Sequence, residues 1–481
     1  MNESKRHPAS YRDPSGFVFI EGDRLLRQVN SCYLETYQQA KGSGLYQELH
    51  QRGWLVSHEE ASQTADALVL APEVVEFVTY PYEWSFPQYR DAALLTLDIQ
   101  AKALDYGMVL KDASMFNVTF HRGAPIFLDT LSFHPYREGE PWHAFSQFLE
   151  HFLAPLLLAQ YLGPEALGSM SRYMEGLPLA TALRMLPWRA RLRPLVFSNI
   201  LLPQRYQRRH EQTGGRRQTG DEGAKATLSR RALNDIIRNL QESLANLETD
   251  EVSEWGQYYC ETNYSAAAFE AKKRLVAEWV AELRVKRVWD IGGNDGTFSR
   301  ILGPQVESIL CSDADAVAVG KGYRRDAASD RSRVLQFVAD ITKPSPGIGW
   351  MNIERTSLLS RLAEFDVDLV LALAVIHHLT LQANLPFETT AEMFARFGKY
   401  LLIELPTERD SKVVDMLDAK RAFRSQFEFY CQENFERRYL RYFSIVKTER
   451  LPDSERMLYL MERRPALEGA AERKDGPAFP K

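Results

Sequence analysis

The sequence predicts an α/β protein of two domains, with a doubly wound, mainly parallel sheet in the C-terminal half. Two observations predict this sheet: a strand, glycine turn and helix at residues 287–302, and apolar strands that recur between helical stretches at βαβ spacing. A third observation divides the chain, because residues 204–231 carry eight basic and three acidic residues and almost no large apolar side chain. Such a segment buries too little surface to offset chain entropy, so we expect a flexible basic linker between domains at 1–203 and 232–481.

Composition and charge narrow the class of protein. The chain has 481 residues, of which 45% are apolar and 26% charged, which excludes collagen-like, coiled-coil and wholly disordered proteins. A formal net charge of −5 provides no overall basic field, so a nucleic acid partner is not expected. The four cysteines lie outside metal-clip spacing, and the best candidate membrane span, 152–162, is too short. We therefore expect a cytoplasmic protein without a membrane partner; its oligomeric state is left open.

The strand, turn and helix unit has the form of a ligand site. Residues 287–291 form a short apolar strand, residues 292–296 read Gly-Gly-Asn-Asp-Gly, and helical spacing resumes at Thr297. A dinucleotide fingerprint, G-x-G-x-x-G, fails here because Asn294 and Thr297 replace its second and third glycines. The pattern is instead Asp-x-Gly-x-Asn-x-Gly, in which asparagine tolerates a positive φ better than most residues. The turn therefore predicts close backbone approach to a ligand at a helix N-terminus.

Acidic residues follow the next predicted strands. The second strand, 308–312, is followed directly by Asp313, whose carboxylate can accept both ribose hydroxyls of a nucleoside and is preferred for this to Asp315. The third strand, 334–339, ends at Asp340. Each acid alone could simply cap a neighbouring helix, but their order on one scaffold favours a nucleoside site.

In form and order, these motifs resemble those of bacterial class I S-adenosylmethionine-dependent methyltransferases related to the nodulation protein NoeA. The resemblance also rests on Tyr264 and Lys272 ahead of the turn, on the stretch from Asp340 to Arg355, and on the segment 371–379. It implies a Rossmann-like methyltransferase sheet closed by an antiparallel hairpin at 443–446 and 457–461. It also implies S-adenosylmethionine as cofactor, with binding residues Asp290, Gly292, Gly293, Asn294, Gly296, Asp313, Asp340, Ala374 and Tyr264.

Methyl transfer to a hydroxyl or an ammonium needs a proton acceptor near the methyl group. His377 and His378 follow the fourth predicted strand, 365–374, at the edge of the sheet where that group should lie, and histidine titrates near neutral pH. Glu404 ends the fifth strand, 400–404, and is a third catalytic candidate. The alternative is that the two imidazoles orient the loop or pack against the cofactor. Since the sequence has no Asn-Pro-Pro-Tyr clamp for a flipped base, the expected acceptor is a small molecule of carbohydrate or similar type.

The N-terminal half carries a second pattern. Asp112, Asn117 and Asp129 have the spacing of the catalytic loop and metal-binding segment of protein-kinase-like phosphotransferases, which implies an α+β kinase-like domain. A magnesium ion at Asn117 and Asp129 is the speculative extension of this resemblance. A glycine-rich phosphate loop is missing, and Arg24 and Arg27 occupy the region of the usual lysine. Open alternatives are a degenerate domain that binds nucleotide or acceptor and regulates the methyltransferase, a bifunctional enzyme, and an unrelated α/β arrangement.

Overall fold

The computed structural model describes residues 5–64, 66–201, 229–249, 265–328 and 332–465. The chain divides into two compact units. The N-terminal unit comprises Met1–Glu251 and Pro346–Thr356, and the C-terminal unit comprises Val252–Ser345 and Ser357–Lys481. Most of the expected linker, and Tyr264 among the expected cofactor residues, lie outside the described residues.

The N-terminal unit is α+β. Its five-stranded antiparallel sheet has the order β1-β2-β3-β5-β4, and two strand pairs, β6-β9 and β7-β8, follow along the chain. A turn at Gly22 joins β2 to β3, and its φ of +61° suits glycine. The strands are Lys5–Arg6 (β1), Gly16–Glu21 (β2), Arg24–Asn30 (β3), His58–Gln63 (β4), Ala67–Pro72 (β5), Met108–Leu110 (β6), Val118–His121 (β7), Ala124–Phe127 (β8) and Phe133–Pro135 (β9).

The longest helix that the structure describes in this unit is Phe86–Asp105, which starts six residues before the apolar periodicity of residues 92–106. Its start is fixed by a capping box, in which the Ser85 and Gln88 side chains satisfy backbone N–H groups of the first turn. The α-helices of the unit are Ser31–Ser43, Leu45–Gln51, Phe86–Asp105, Phe145–Phe148, Ala154–Leu162, Leu179–Met185, Pro194–Val196 and Arg230–Ala245.

The last of these helices moves the boundary between the units. Sequence analysis assigns residues from 232 onward to the C-terminal domain, whereas helix Arg230–Ala245 belongs to the N-terminal unit. Its buried residues share one face: Leu233, Ile237, Leu240 and Leu244. That face packs on helix Phe86–Asp105, and the Gln241 amide donates a 2.6 Å hydrogen bond to Asp98. Burial of this face explains why the helix belongs to the N-terminal unit.

The C-terminal unit contains a seven-stranded sheet of order β12-β11-β10-β13-β14-β16-β15. The first five strands in this order are parallel, and β16 and β15 close the sheet as an antiparallel hairpin. This confirms the mainly parallel sheet and the closing hairpin. The strands are Arg287–Ile291 (β10), Ser308–Asp313 (β11), Val334–Val338 (β12), Leu369–Ala372 (β13), Tyr400–Pro406 (β14), Phe443–Arg450 (β15) and Arg456–Arg463 (β16).

The fourth strand is shorter than expected, because helix Leu358–Phe365 occupies the preceding residues and ends at Asp366 in the left-handed region, with φ +56°. An apolar core that includes Trp279, Phe298 and Leu402 packs against the sheet. The helices of the unit are Ala266–Glu282, Thr297–Arg300, Ala316–Ala327, Leu358–Phe365, Phe387–Phe397, Ser411–Ala419 and Gln432–Tyr439. Among the described residues of both units, no helix combines the length and the apolar character needed to cross a bilayer.

Candidate active site

The expected site lies where the order of the strands changes direction in the sheet. Strand β10 pairs with β11 on one side and with β13 on the other, so chain order runs outward in both directions from the β10–β13 pair. In parallel α/β sheets, ligands bind beyond the carboxyl ends of the strands at such a switch point. The glycine turn follows β10 and His377 follows β13, so the structure brings these two predicted segments to the same edge.

The turn after β10 is tight. Gly292, Asn294 and Gly296 have φ values of +63°, +53° and +79°, which confirms that asparagine occupies a left-handed position here. The Gly293 N–H donates a 3.1 Å hydrogen bond to the Ser312 carbonyl, at the end of the neighbouring strand β11. A Cβ atom on Gly292 would lie 2.5 Å from a methyl group of Val375, so the loops after β10 and β13 approach closely.

Substitution of Gly293 tests this packing. A Cβ atom on Gly293 would lie 2.5 Å from the Cys311 Sγ atom and 2.9 Å from the Asp290 carboxyl, both fully buried. We expect Gly293→Ala to lower the thermal midpoint, because overpacking of a closed site costs about 1–3 kcal/mol. The control is Gly42→Ala: Gly42 is helical with open space around it, so this variant should gain about 0.5–1 kcal/mol. Calorimetry that shows equal midpoints for the two variants would contradict the packing.

Asp290 lies beneath the turn, where it is almost fully buried. Burial raises the pKa of its carboxyl to about 7, although a 2.7 Å hydrogen bond from Ser299 and the nearby Lys272 ammonium act in the opposite direction. The neighbouring Asp313 carboxylate raises the pKa further. Asp290 is therefore an internal acid that supports the turn, and its charge depends on pH near neutrality.

The raised pKa of Asp290 predicts that its contribution to the free energy of unfolding depends on pH. Because the folded protein holds this proton up to about pH 7 while the unfolded chain releases it near pH 4, the contribution of Asp290 to stability falls as pH rises through that interval. Asp290→Asn imitates the protonated acid. We expect the variant to match the parent near pH 4 and to exceed it by up to about 4 kcal/mol above pH 7. Denaturant unfolding across this pH range measures the difference, and a constant difference would contradict the prediction.

Asp313 and Asp315 make different contacts. The Asp315 carboxylate caps helix Ala316–Ala327 by accepting the Val317 and Ala318 N–H groups at 2.8 and 3.1 Å. Asp313 is half-buried at the end of β11 and accepts the Asn294 N–H at 2.8 Å, so it is tied to the glycine turn. Burial raises the pKa of Asp313 to about 6, against the backbone N–H groups that lower it.

Asp340 and Ala374 follow β12 and β13. The half-buried Asp340 accepts hydrogen bonds from the Thr342 N–H and hydroxyl at 2.9 and 2.6 Å. Burial raises the pKa of Asp340, but these hydrogen bonds and the nearby Lys343 outweigh it and hold the pKa below its usual value. Ala374 has a φ of +57°, a strained conformation for a residue with a Cβ atom. Such strain is found preferentially at ligand sites, which agrees with the expected place of Ala374 beside the cofactor.

The two adjacent histidines are not equivalent. His377 is buried, and its Nδ1 atom has no hydrogen-bond partner among the residues that the structure describes. Burial, and then the neighbouring His378, Arg456 and Lys272, lower the pKa of His377 well below its usual value. His377 is therefore neutral at pH 7, and the same surroundings disfavour its protonated form. His378 is more exposed, and its Nδ1 atom lies 3.2 Å from the Gln382 amide oxygen.

Glu404 lies in a buried ion network, which sequence reasoning did not foresee. Its carboxylate is fully buried, 2.5 Å from the Lys272 Nζ atom and 3.4 Å from the Arg456 Nη1 atom. Arg456 continues the network with a 2.8 Å bond from Nε to Asp410. Two cations therefore neutralise Glu404, so its geometry favours a charge-balancing role over proton transfer. The sequence feature that could have indicated this network is Arg456, a charged residue at the start of the mainly apolar strand β16.

The structure also brings together the second predicted cluster. Asp112 interacts with Asn117 and Asp129, and Asn117 donates a 3.3 Å hydrogen bond to Ser132, whose hydroxyl in turn donates to Asp129. Arg27, on β3, forms an ion pair with Asp129. Burial alone would raise the pKa of Asp129, but Arg27 and these hydrogen bonds lower it. The guanidinium already neutralises the carboxylate that magnesium would need, so the kinase-like interpretation stays a prediction.

In the described parts of the chain, no three histidine, cysteine or acidic side chains are grouped so as to hold a metal ion. Comparison with models of protein families finds no match. Comparison with characterised proteins finds the nodulation protein NoeA of Rhizobium meliloti strain 1021, which is 32% identical over 469 residues, covering 95% of this chain and 96% of the relative. The chain belongs to the NoeA family. The likeness spans both units, so the N-terminal unit is part of the NoeA family and not an addition to this one chain.

Solved structures similar to this NoeA-family chain include two methyltransferases. The N-methyltransferase NodS of Bradyrhizobium japonicum WM9, in complex with S-adenosyl-L-homocysteine, is 12% identical with a TM-score of 0.31, covering 44% of this chain and 94% of NodS. Magnesium protoporphyrin IX methyltransferase of Synechocystis PCC 6803, with the same compound bound, is 17% identical with a TM-score of 0.29. The similarity covers 48% of this chain and 99% of that methyltransferase.

Proposed function

We propose that this NoeA-family protein is an S-adenosylmethionine-dependent methyltransferase whose acceptor is a small molecule of carbohydrate or similar type. The observation that carries the proposal is the coupling of Asp313 to the glycine turn, through the Asn294 N–H, at the switch point of the sheet. A nucleoside site requires a carboxylate for the ribose hydroxyls beside a turn that admits close backbone approach. The carboxylate of Asp313 and the turn at 292–296 support this proposal, and the turn has no room for a Cβ atom at Gly292 beside Val375 or at Gly293 beside Cys311.

The residues present fit the cofactor. Asp313 would hold the ribose hydroxyls, Asp340 would lie near the adenine, and the turn from Gly292 to Gly296 would contact the remainder of the nucleoside. When bound, the cofactor supplies a methyl group on a positively charged sulfur. Asp290 lies beneath the turn, where its carboxyl accepts a 2.7 Å hydrogen bond from the Ser299 hydroxyl.

We propose His377 as the proton acceptor for the methyl-accepting group. The supporting observation is geometric: its buried Nδ1 atom has no partner in the described residues, so it can accept a hydrogen bond from the methyl-accepting group. Burial and the nearby cations keep the imidazole neutral at pH 7 and make it a weak base, so the proton must pass onward from it. His378, which has the Gln382 amide as a neighbour, is the second choice. Glu404 is the least suited, because Lys272 and Arg456 already neutralise it.

The experiment is a transfer assay with methyl-labelled S-adenosylmethionine and extracts separated into small molecules, protein and RNA. We expect label in the small-molecule fraction. His377→Ala should lower the transfer rate about 10²- to 10⁴-fold, the usual contribution of a general base, with little change in affinity for S-adenosylhomocysteine. His378→Ala is the matched control, for which we expect a loss of less than about tenfold.

Two results would overturn the proposal. The cofactor assignment fails if titration calorimetry detects no binding of S-adenosylmethionine or S-adenosylhomocysteine to the full chain. The acceptor class fails if label appears in RNA or protein instead of the small-molecule fraction. Equal losses in the two histidine variants would leave the cofactor assignment intact and remove His377 as the base.

A further inference from the structure

A surface of the N-terminal unit, at residues 179–201, exposes apolar side chains that its core does not use. The segment consists of helix Leu179–Met185, the 3₁₀ helix Trp188–Leu192, and a short helical stretch from 194 to 201. One face of it is buried, through the side chains of Leu179, Ala182, Leu186, Ala190, Val196 and Ile200. These residues already anchor the segment to the unit.

The segment also exposes apolar side chains. Four large ones are exposed to solvent: Met185 by 43%, Trp188 by 66%, Leu192 by 72% and Phe197 by 44%. Single exposed apolar residues are ordinary, but four within thirteen residues are a concentration of the kind that marks an interaction site. We call the exposed side chains of residues 184–197 the arginine–tryptophan surface.

The charge of this surface has one sign. Arg184, Arg189, Arg191 and Arg193 are exposed, and residues 176–201 contain no aspartate or glutamate. Their contacts are with uncharged groups: the Thr181 hydroxyl, the Trp188 ring, the Leu183 carbonyl and the Gln160 amide. Within the described residues, none of the four lies within ion-pair distance of a carboxylate. Their charge is therefore available to an external anion.

We propose that the arginine–tryptophan surface binds the surface of a membrane that contains anionic lipids. Exposed arginine interleaved along a short segment with exposed tryptophan, leucine and phenylalanine is the composition of segments that lie in the headgroup region, where apolar side chains insert and guanidinium groups meet phosphates. An RNA would use the charges but leave Met185, Leu192 and Phe197 exposed. This inference concerns peripheral contact and differs from the sequence-based expectation of no membrane partner. It is independent of the proposed methyl transfer.

The test is co-sedimentation of the full chain with phosphatidylcholine vesicles that contain or lack phosphatidylglycerol. We expect binding only to the anionic vesicles, weakening with salt. Trp188→Ser combined with Leu192→Ser should lower the binding constant at least about tenfold. Arg184→Gln combined with Arg189→Gln should lower it about thirtyfold, since each arginine near an anionic bilayer contributes about fivefold.

The controls are matched in exposure and charge. Phe423→Ser with Val446→Ser removes two exposed apolar side chains of the C-terminal unit, and Arg137→Gln with Arg238→Gln removes two exposed arginines; both should bind as the parent does. Unchanged thermal midpoints exclude misfolding. The proposal is overturned if anionic vesicles do not bind the parent, or if the test and control variants weaken equally. It is also overturned if the Trp188 and Leu192 changes alter the oligomeric state or RNA binding and not vesicle binding.

Discussion

Glu404→Ala should destabilise the C-terminal unit by about 3–5 kcal/mol, the cost of removing one partner from a buried ion pair. The substitution leaves Lys272 and Arg456 without the carboxylate that now lies 2.5 and 3.4 Å away, in a site from which water is excluded. Burial already lowers the pKa of Lys272, so we expect this amine to lose its proton in the variant. Differential scanning calorimetry should show a large fall in the midpoint of the transition assigned to this unit.

The control is Glu449→Ala, which removes an exposed carboxylate from β15 in the same sheet and should change stability by less than about 0.5 kcal/mol. A second variant separates charge from packing. Lys272→Met combined with Glu404→Leu removes both members of the pair, and we expect it to regain much of the lost stability. If the double variant is less stable than Glu404→Ala, the network is not the source of the effect.

Asp313→Asn should weaken binding of S-adenosylhomocysteine about 100- to 1,000-fold while leaving the fold intact. The amide keeps the size of the carboxylate but loses the charge that strengthens hydrogen bonds from both ribose hydroxyls, each worth about 1.5–3 kcal/mol. Because burial raises the pKa of Asp313 to about 6, protonation should also weaken binding to the parent as pH falls below 6. Titration calorimetry at several pH values measures both effects.

Asp315→Ser is the matched control. Serine retains the capping of helix Ala316–Ala327, so the variant should bind S-adenosylhomocysteine within a few-fold of the parent. If Asp315→Ser abolishes binding and Asp313→Asn does not, Asp315 and not Asp313 contacts the ribose, and our assignment is wrong. If neither variant affects binding, the ligand does not occupy the carboxyl end of β11.

Local patterns were sufficient for the framework of the C-terminal unit. The apolar run before Asp290, the glycines at 292 and 296, and the acids after β11 and β12 predicted a parallel sheet and its ligand edge. This worked because strand and helix periodicities, and the φ requirements of a tight turn, act over a few residues. The tolerance of asparagine for a positive φ likewise allowed Asn294 to be placed correctly.

Only the tertiary structure decided which charged side chains form ion pairs, which cap helices and which are buried. Antiparallel pairing of β14 with β16 places Arg456 beside Glu404 from a distance of 52 residues, and helix Ala266–Glu282 adds Lys272. Asp315 caps a helix whereas Asp313 faces the turn, and Trp188 is left in solvent because Leu186 and Ala190 fill the core. Ion pairing and burial depend on long-range packing, which local periodicity does not encode. The sequence therefore determined the sheet edge at which we propose that the ligand binds, and the fold determined which charged side chains at that edge are already paired.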